Sequence, residues 1–226
     1  MTPPVHIELK GQTCWLSSER CLYWENEQTL ILSDLHFGKT GHFRKSGIPV
    51  PQQVYREDLQ RLMHQIQYFN PRRIIFTGDL FHSRENQEHE WFAKWRNSIT
   101  NAEIHLVKGN HDSLPDKVYD ELGLIVHQNI FTVSPFHFIH DIHLAESPED
   151  HYCLSGHIHP GIRVSGHGKQ SLSFPCFYFS SSFGILPAFS RFTGFITLQP
   201  ENGDQVYAIV QGNRTRQEQT SLVKIY

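Results

Sequence analysis

Thr29-Leu-Ile-Leu-Ser-Asp-Leu-His36 decides the fold: a short, almost wholly apolar run stops abruptly at an aspartate, and a histidine follows two positions on. The construction recurs at Arg73-Ile-Ile-Phe-Thr-Gly-Asp79 and at Glu103-Ile-His-Leu-Val-Lys-Gly-Asn110. Runs of this kind, too short for helices and lacking polar alternation, suit strands covered on both faces, as in parallel sheets. Helical patterns lie between them. From Gln52 to Phe69 the apolar residues Val54, Tyr55, Leu59, Leu62, Met63, Ile66 and Phe69 form a 3.6-period stripe introduced by Pro51. Trp91, Phe92, Trp95 and Ile99 make a second, within Glu85 to Ile99. Ser113-Leu-Pro-Asp116 reads as a capped start with Pro115 at the first helical position, and Gly123 can close that helix. Strands alternating with helices predict an α/β fold. Beyond residue 125 the helical signal fades, and weaker runs at Phe136 to Asp141 and His151 to His157 continue as strands and turns. The polar stretch Gln211 to Thr220 reads as a loop before Leu222-Val-Lys-Ile-Tyr226.

No Pro/Gly/Ser-rich linker or charge block divides the 226 residues, which predicts a single domain over 1–226. A hydrophobic fraction of 38%, with 12% aromatics, excludes a disordered chain. No apolar run approaches the roughly 18 residues of a membrane span, and the N-terminus lacks the basic flank and apolar stretch of a signal peptide, so a soluble, cytoplasmic protein is expected. The four cysteines form no C-x-x-C pair and read as reduced structural thiols. A net charge of -3 gives no global basic field. The 16 histidines are the unusual feature, because imidazole is the commonest metal ligand.

Their positions decide what they mean. Asp34-Leu-His36, Gly78-Asp79, Gly109-Asn110-His111-Asp112, His140-Asp141 and Gly156-His157-Ile-His159 each terminate a strand-like run. Ligands of open α/β sheets bind outside the carboxyl ends of the strands. Residues i and i+2 of an extended segment share a face, so Asp34 with His36, and His157 with His159, can aim into one cavity. Any one of these alone would be an ordinary cap or a solvated histidine; the ordered set carries the inference. Mixed carboxylate and imidazole donors suit Mn, Fe or Zn better than Ca. Seven donors exceed the needs of one ion and point to a pair about 3.5–4 Å apart sharing a carboxylate.

The ordered pattern D-x-H, G-D, G-N-H-D, H, G-H-x-H resembles that of the calcineurin-like metallophosphoesterases. That resemblance implies a sandwich of two mixed β-sheets flanked by helices, with two divalent metal ions, Mn²⁺ foremost and Fe or Zn as alternatives. Carried over, Asp34, His36 and His159 match ligands of one metal, Asp79 the bridging carboxylate, and Asn110, His140 and His157 ligands of the other. Asp141 departs from the Gly or Glu usual after the second-metal histidine, which leaves His143 as an alternative to His140. Ser33-Asp-Leu-His-Phe-Gly-Lys39, Phe43-Arg44, Gly47-Ile-Pro-Val-Pro51, Cys21-Leu-Tyr-Trp24, Leu186-Pro-Ala-Phe189 and Phe192-Thr-Gly194 further resemble the bacterial DNA ligase-associated phosphoesterases of that family. That likeness implies a DNA-repair endonuclease acting on single-stranded or damaged DNA, in functional association with an ATP-dependent DNA ligase and a helicase.

The implied reaction is attack on phosphorus by a metal-activated hydroxide, with no covalent protein intermediate. His111, not matched to a metal ligand, is the candidate proton donor to the leaving oxygen, with Asp112 orienting it. Lys39, Arg44 and Lys45 follow the first motif and can reach a phosphate, and His82 can support a ligand. The Phe-rich segment Phe174 to Phe195 reads first as strand core and second as a surface for stacking bases. A small-molecule phosphatase or cyclic-nucleotide phosphodiesterase would use the same centre, and a non-catalytic scaffold the same fold.

Overall fold

The computed structural model describes residues 2–37, 53–81, 87–144, 151–166, 170–211 and 220–226. Its first sheet runs in sequence order: β1 (Val5–Leu9), β2 (Gln12–Ser17), β3 (Cys21–Trp24), β4 (Thr29–Leu32), β5 (Arg73–Phe76), β6 (Glu103–Val107) and β7 (Ile125–His127). β1 to β4 form an antiparallel meander, entered through a Lys10-Gly11 turn in which both residues have positive φ, as a two-residue hairpin of matching twist requires. β4 to β7 are parallel, because helices make the crossovers: α1 (Gln53–Phe69), α2 (Gln87–Asn97) and α3 (Asp116–Glu121). Alternation sorts the apolar runs between two faces. Leu30, Leu32, Ile74, Phe76, Ile104 and Leu106 pack against Leu62, Ile66, Phe92, Trp95 and Tyr119 of the helices. Ile31, Ile75 and Val107 face the other way, into the second sheet.

That sheet comprises β8 (Ile130–Val133), β9 (Phe136–Ile139), β10 (Tyr152–Ser155), β11 (Pro160–Ser165), β12 (Ser171–Phe179), β13 (Phe183–Ile185), β14 (Ile196–Thr197), β15 (Gln205–Gln211) and β16 (Thr220–Lys224). Its order is β14-β11-β12-β13-β10-β9-β8, with β15 on β12 and β16 on β15. β10 is parallel to both β9 and β13, and most other pairs are antiparallel. Phe136, Phe138, Leu154, Phe177 and Phe179 meet Leu16, Leu22, Trp24 and Ile31 between the sheets, where Trp24 and Phe136 interlock edge to face at 4.8 Å. The three α-helices pack on the first sheet. On the outer face of the second, Ile162, Cys176, Tyr178 and Val206 are covered by Phe174, Phe183, Leu198 and Ile225. All four cysteines are buried and free.

α1 and α2 match the predicted stripes within two residues at either end, Ile99 lying just beyond α2. α3 begins one residue later than expected: Pro115 is its N-cap, at φ -57 and ψ 143, and no side chain caps it. Gly123 does close it, at φ +66, with its N–H bonded to Asp120 and that of Leu124 to Tyr119. Pro51, Lys39, Arg44, Lys45, His82 and the polar stretch 212–219 lie outside the described residues.

Two histidines outside the strand-end motifs join the sheets. His105 of β6 and His127 of β7 stack on Phe131 of β8 at 4.4 and 4.2 Å, with His105 Nδ1 and His127 Nε2 3.0 Å apart. Burial lowers the pKa of both, and for His105 the neighbouring His127 and Arg73 add to this while Glu103 opposes it. The unfolded chain therefore takes up protons first, and this contribution to stability, complete above the ordinary histidine pKa of about 6.5, is lost as pH falls below it. Urea unfolding of EDTA-treated protein should show a smaller loss between pH 7.5 and 5.5 for His127→Gln than for the wild type; equal losses would contradict the assignment.

Candidate metal centre

Loops at the carboxyl ends of β4, β5, β6, β9 and β10 converge. The β4 and β5 loops stay paired beyond their strands, through Asp34 N–H to Gly78 O (3.1 Å), His36 N–H to Asp79 O (2.8 Å) and Phe37 N–H to Leu80 O (2.8 Å). Gly156 N–H donates to His140 O at 3.0 Å and joins the β9 and β10 ends in the same way. Asp34, His36, Asp79, His157 and His159 all have φ between +49 and +65. Such a backbone costs non-glycine residues on the order of 1–3 kcal/mol each and collects where function demands it. Gly78, at φ +93, precedes Asp79, and a Cβ there would overlap the imidazole of His140. A Cβ on Gly156 would overlap Ser33 Oγ and the Asp34 carboxylate. The glycines of G-D and G-H-x-H are thus required by close approach.

Asp34, His36 and His159 form one cluster, with His159 Nε2 3.2 Å from Asp34 Oδ1 and 3.4 Å from His36 Nε2. Asp79, His140 and His157 form a second. There His140 Nε2 lies 3.1 Å from His157 Nδ1, 3.1 Å from Asn110 Oδ1 and 3.5 Å from Asp79 Oδ1. Asp79 joins the two: Oδ1 faces His140, while Oδ2 lies 3.9 Å from His36 Nε2.

Proton positions follow from the outer partners. His140 Nδ1 lies 2.9 Å from the Thr77 carbonyl, and His159 Nδ1 lies 3.2 Å from that of Gly194. A carbonyl only accepts, so each Nδ1 carries a proton, and in the neutral form that binds a metal each ring turns its Nε2 lone pair inward. The inward nitrogens of His140 and His159 then face carboxylate oxygens of Asp79 and Asp34, and Asp34 Oδ1 is buried without a well-oriented donor. A cation answers both conditions, and a nitrogen–oxygen donor set suits a first-row divalent ion. Burial alone would raise the Asp34 carboxyl, but its contact with His159, then His140 nearby and the Ser33 hydroxyl, hold it below the usual range. Burial raises Asp79 despite His140 and the His111 amide.

His111 stands at the rim, its side chain 39% exposed and its Nε2 4.0 Å from Asp79 Oδ2, while its amide donates to Asp79 Oδ1 at 2.9 Å. Asp112, expected to orient the His111 imidazole, spends both oxygens on backbone amides: Oδ1 on Leu80 and Phe81 at 3.0 and 3.1 Å, Oδ2 on Gly109 at 2.9 Å. It ties the β5 and β6 loops together, and burial pushes its carboxyl up to about 7 against the pull of those bonds. His140 enters the second cluster, whereas His143 sits in a single 3₁₀ turn (Ile142–Leu144), its amide bonded to Asp141. Asp141 Oδ2 lies 3.9 Å from the outer nitrogen of His157, a contact the sequence reading missed.

Two clusters of candidate metal ligands, with Asp79 between them, lie at the strand ends of a two-sheet sandwich, an arrangement that fits a metal-dependent phosphoester hydrolase. The chain belongs to the calcineurin-like phosphoesterase family, whose model matches residues 28–178. It is similar to the Pseudomonas putida nuclease MPE in crystal structure, at 26% identity and a TM-score of 0.77, covering 91% of this chain and 96% of that one. Yfce, a phosphoesterase from E. coli, is a more distant likeness at 11% identity and a TM-score of 0.44, covering 88% and 99%. No match is found among curated proteins. None of the helices among the described residues is long and apolar enough to cross a membrane.

Proposed function

We propose that the protein is a two-metal phosphodiesterase that hydrolyses nucleic acid, with single-stranded DNA its substrate and Mn²⁺ its metal. The observation that carries this reading is Asp79, whose two oxygens face different donor clusters. Asp34, His36 and His159 would hold one ion, Asn110, His140 and His157 the other, and Asp79 both. Ions held there supply Lewis acidity toward phosphoryl oxygens and bring the pKa of water toward neutrality. The chain's own part is to fix those ions. The Thr77 and Gly194 carbonyls set the tautomers of His140 and His159, and Asp112 holds the β5 and β6 loops in register. His111, exposed above Asp79, protonates the leaving oxygen. The choice of DNA is supported by the nuclease relative and by the sequence resemblance; a place in repair beside a ligase and a helicase rests on that resemblance alone.

The deciding experiment is hydrolysis of an end-labelled single-stranded DNA oligonucleotide in Mn²⁺ and in EDTA. Metal-dependent cleavage supports the nuclease, and internal products make it an endonuclease. Protein that hydrolyses a small aryl phosphodiester but leaves the oligonucleotide intact would move the function to small substrates. His111→Ala should keep its metal, read by elemental analysis, while turnover falls about 10²-fold. Loss of metal in that variant would show that His111 serves the centre in another way.

A further inference from the structure

Ser33 is completely buried, and its hydroxyl stands between the supports of both donor clusters. Its Oγ lies 2.6 Å from Asp34 Oδ2 and 3.1 Å from the Thr77 carbonyl, the same carbonyl that accepts the His140 Nδ1 proton. A hydroxyl has one hydrogen to give, and the shorter contact, to a carboxylate, takes it. The backbone holds Ser33 in place: it bridges Ala188, and its carbonyl accepts the Phe189 N–H at 2.8 Å. Asp34 Oδ2 also accepts the His157 N–H at 3.0 Å, so that oxygen has two donors from the protein. The other oxygen is left differently. Asp34 Oδ1 is buried without a well-oriented donor and lies 3.2 Å from His159 Nε2. Gly156 makes the room for the hydroxyl, since a Cβ there would overlap Ser33 Oγ.

We propose that Ser33 is a positioning residue of the metal centre: its hydroxyl, with the His157 amide, satisfies Asp34 Oδ2, so that Asp34 meets a cation through Oδ1 alone and Asp79 is left as the carboxylate between the clusters. The inference rests on the two-metal reading above and deepens it. A carboxylate turns readily about its last torsion and offers either oxygen, or both, to a cation. Donors fixed on one oxygen of Asp34 remove that choice. The chain treats Asp79 in another way: Oδ1 accepts the His111 amide at 2.9 Å and faces His140, while Oδ2 looks toward His36. Ser33 thus orients a ligand without touching the ion, as outer partners of metal ligands do. Alanine at this position would leave Asp34 Oδ2 with the His157 amide alone.

The test is Mn²⁺ titration of EDTA-treated protein, followed by calorimetry and by electron paramagnetic resonance. Wild-type protein should take up two ions per chain, and the resonance of an exchange-coupled pair should grow as the second is added. Ser33→Ala should bind one ion with about tenfold lower affinity and the other as before, the lower end of what outer partners of metal ligands contribute. At the same loading its spectrum should keep the signal of isolated ions, and the pair signal should return only in excess Mn²⁺. Ser155→Ala is the control. Ser155 is equally buried, but its hydroxyl lies against the Gly184 carbonyl at 3.4 Å, and both affinities should match the wild type. Equal affinities and spectra for wild type and Ser33→Ala would overturn the assignment of Ser33 and leave the metal centre intact. So would a loss shared by Ser155→Ala, or one that falls on both ions alike with a lower melting temperature of the EDTA-treated variant, because either is a packing defect. Wild-type protein that takes up fewer than two ions would overturn the two-metal reading and the inference with it.

Discussion

Asp79→Asn should abolish metal-dependent phosphodiester hydrolysis, with a loss of at least about 10³-fold, the upper range for removing one preorganised electrostatic element. The substitution preserves shape. The amide oxygen can still accept the His111 N–H at the position of Oδ1. It loses the second acceptor, which faces His36 across the other cluster, and the charge that two cations would share. Elemental analysis should therefore find fewer ions per chain as well as lost turnover. The same change should raise the melting temperature of EDTA-treated protein, because burial already disfavours the Asp79 carboxylate when no cation balances it. The two readouts move in opposite directions, which separates a metal-bridging role from mere structural importance. A variant that keeps both ions and its activity would remove Asp79 from the centre.

The parts of this site that were legible in sequence are those encoded locally. A strand announces itself over four residues, its end is marked by glycine and aspartate, and five such ends in one order converge wherever the strands are parallel. Choosing between His140 and His143 required the register. β9 lies parallel to β10, so the residue just past β9 meets the G-H-x-H turn, while three residues later the chain has entered a separate turn. The N-terminal meander was readable in principle from the alternation of Val5, Ile7 and Leu9 and the Lys10-Gly11 turn, but its polar positions dilute the signal. Composition could not separate Phe177 from Phe195, since both occur in the same aromatic run and only sheet pairing shows which rings point inward. Asp112 was misread because its sequence neighbour is His111, whereas its oxygens bond Gly109 of its own loop and Leu80 and Phe81 of the β5 loop some thirty residues earlier.

Least legible of all is the ionic cluster behind the loop 190–195, because its members are scattered along the chain. Arg61 of α1 is 9% exposed, and its guanidinium bonds Asp58 Oδ1 at 2.5 Å, Glu19 Oε2 at 2.8 Å, Glu19 O at 2.9 Å and Phe189 O at 3.2 Å, while lying 4.3 Å over the Phe189 ring. Arg61→Met should cost about 3–5 kcal/mol in urea unfolding of metal-free protein, since removing one partner strands buried opposite charge. Burial already raises the Asp58 carboxyl in spite of Arg61, while Glu19, half-buried, is held low chiefly by Arg61 and then Arg191. Arg61→Lys should recover little, because an ammonium on a flexible stem cannot span Asp58, Glu19 and the Phe189 carbonyl together. Adding Asp58→Asn to Arg61→Met should restore part of the lost stability by removing one stranded charge. The consequence reaches the metal centre through the backbone: Phe189 and Ser190 are bonded to Ser33 and Asp34, so Mn²⁺ titration of Arg61→Met should give weaker binding although no donor atom has changed. A variant that lost less than about 1 kcal/mol would place the cluster among surface ion pairs, whose median contribution is that small, and would leave the loop to be held by its strand-end hydrogen bonds alone.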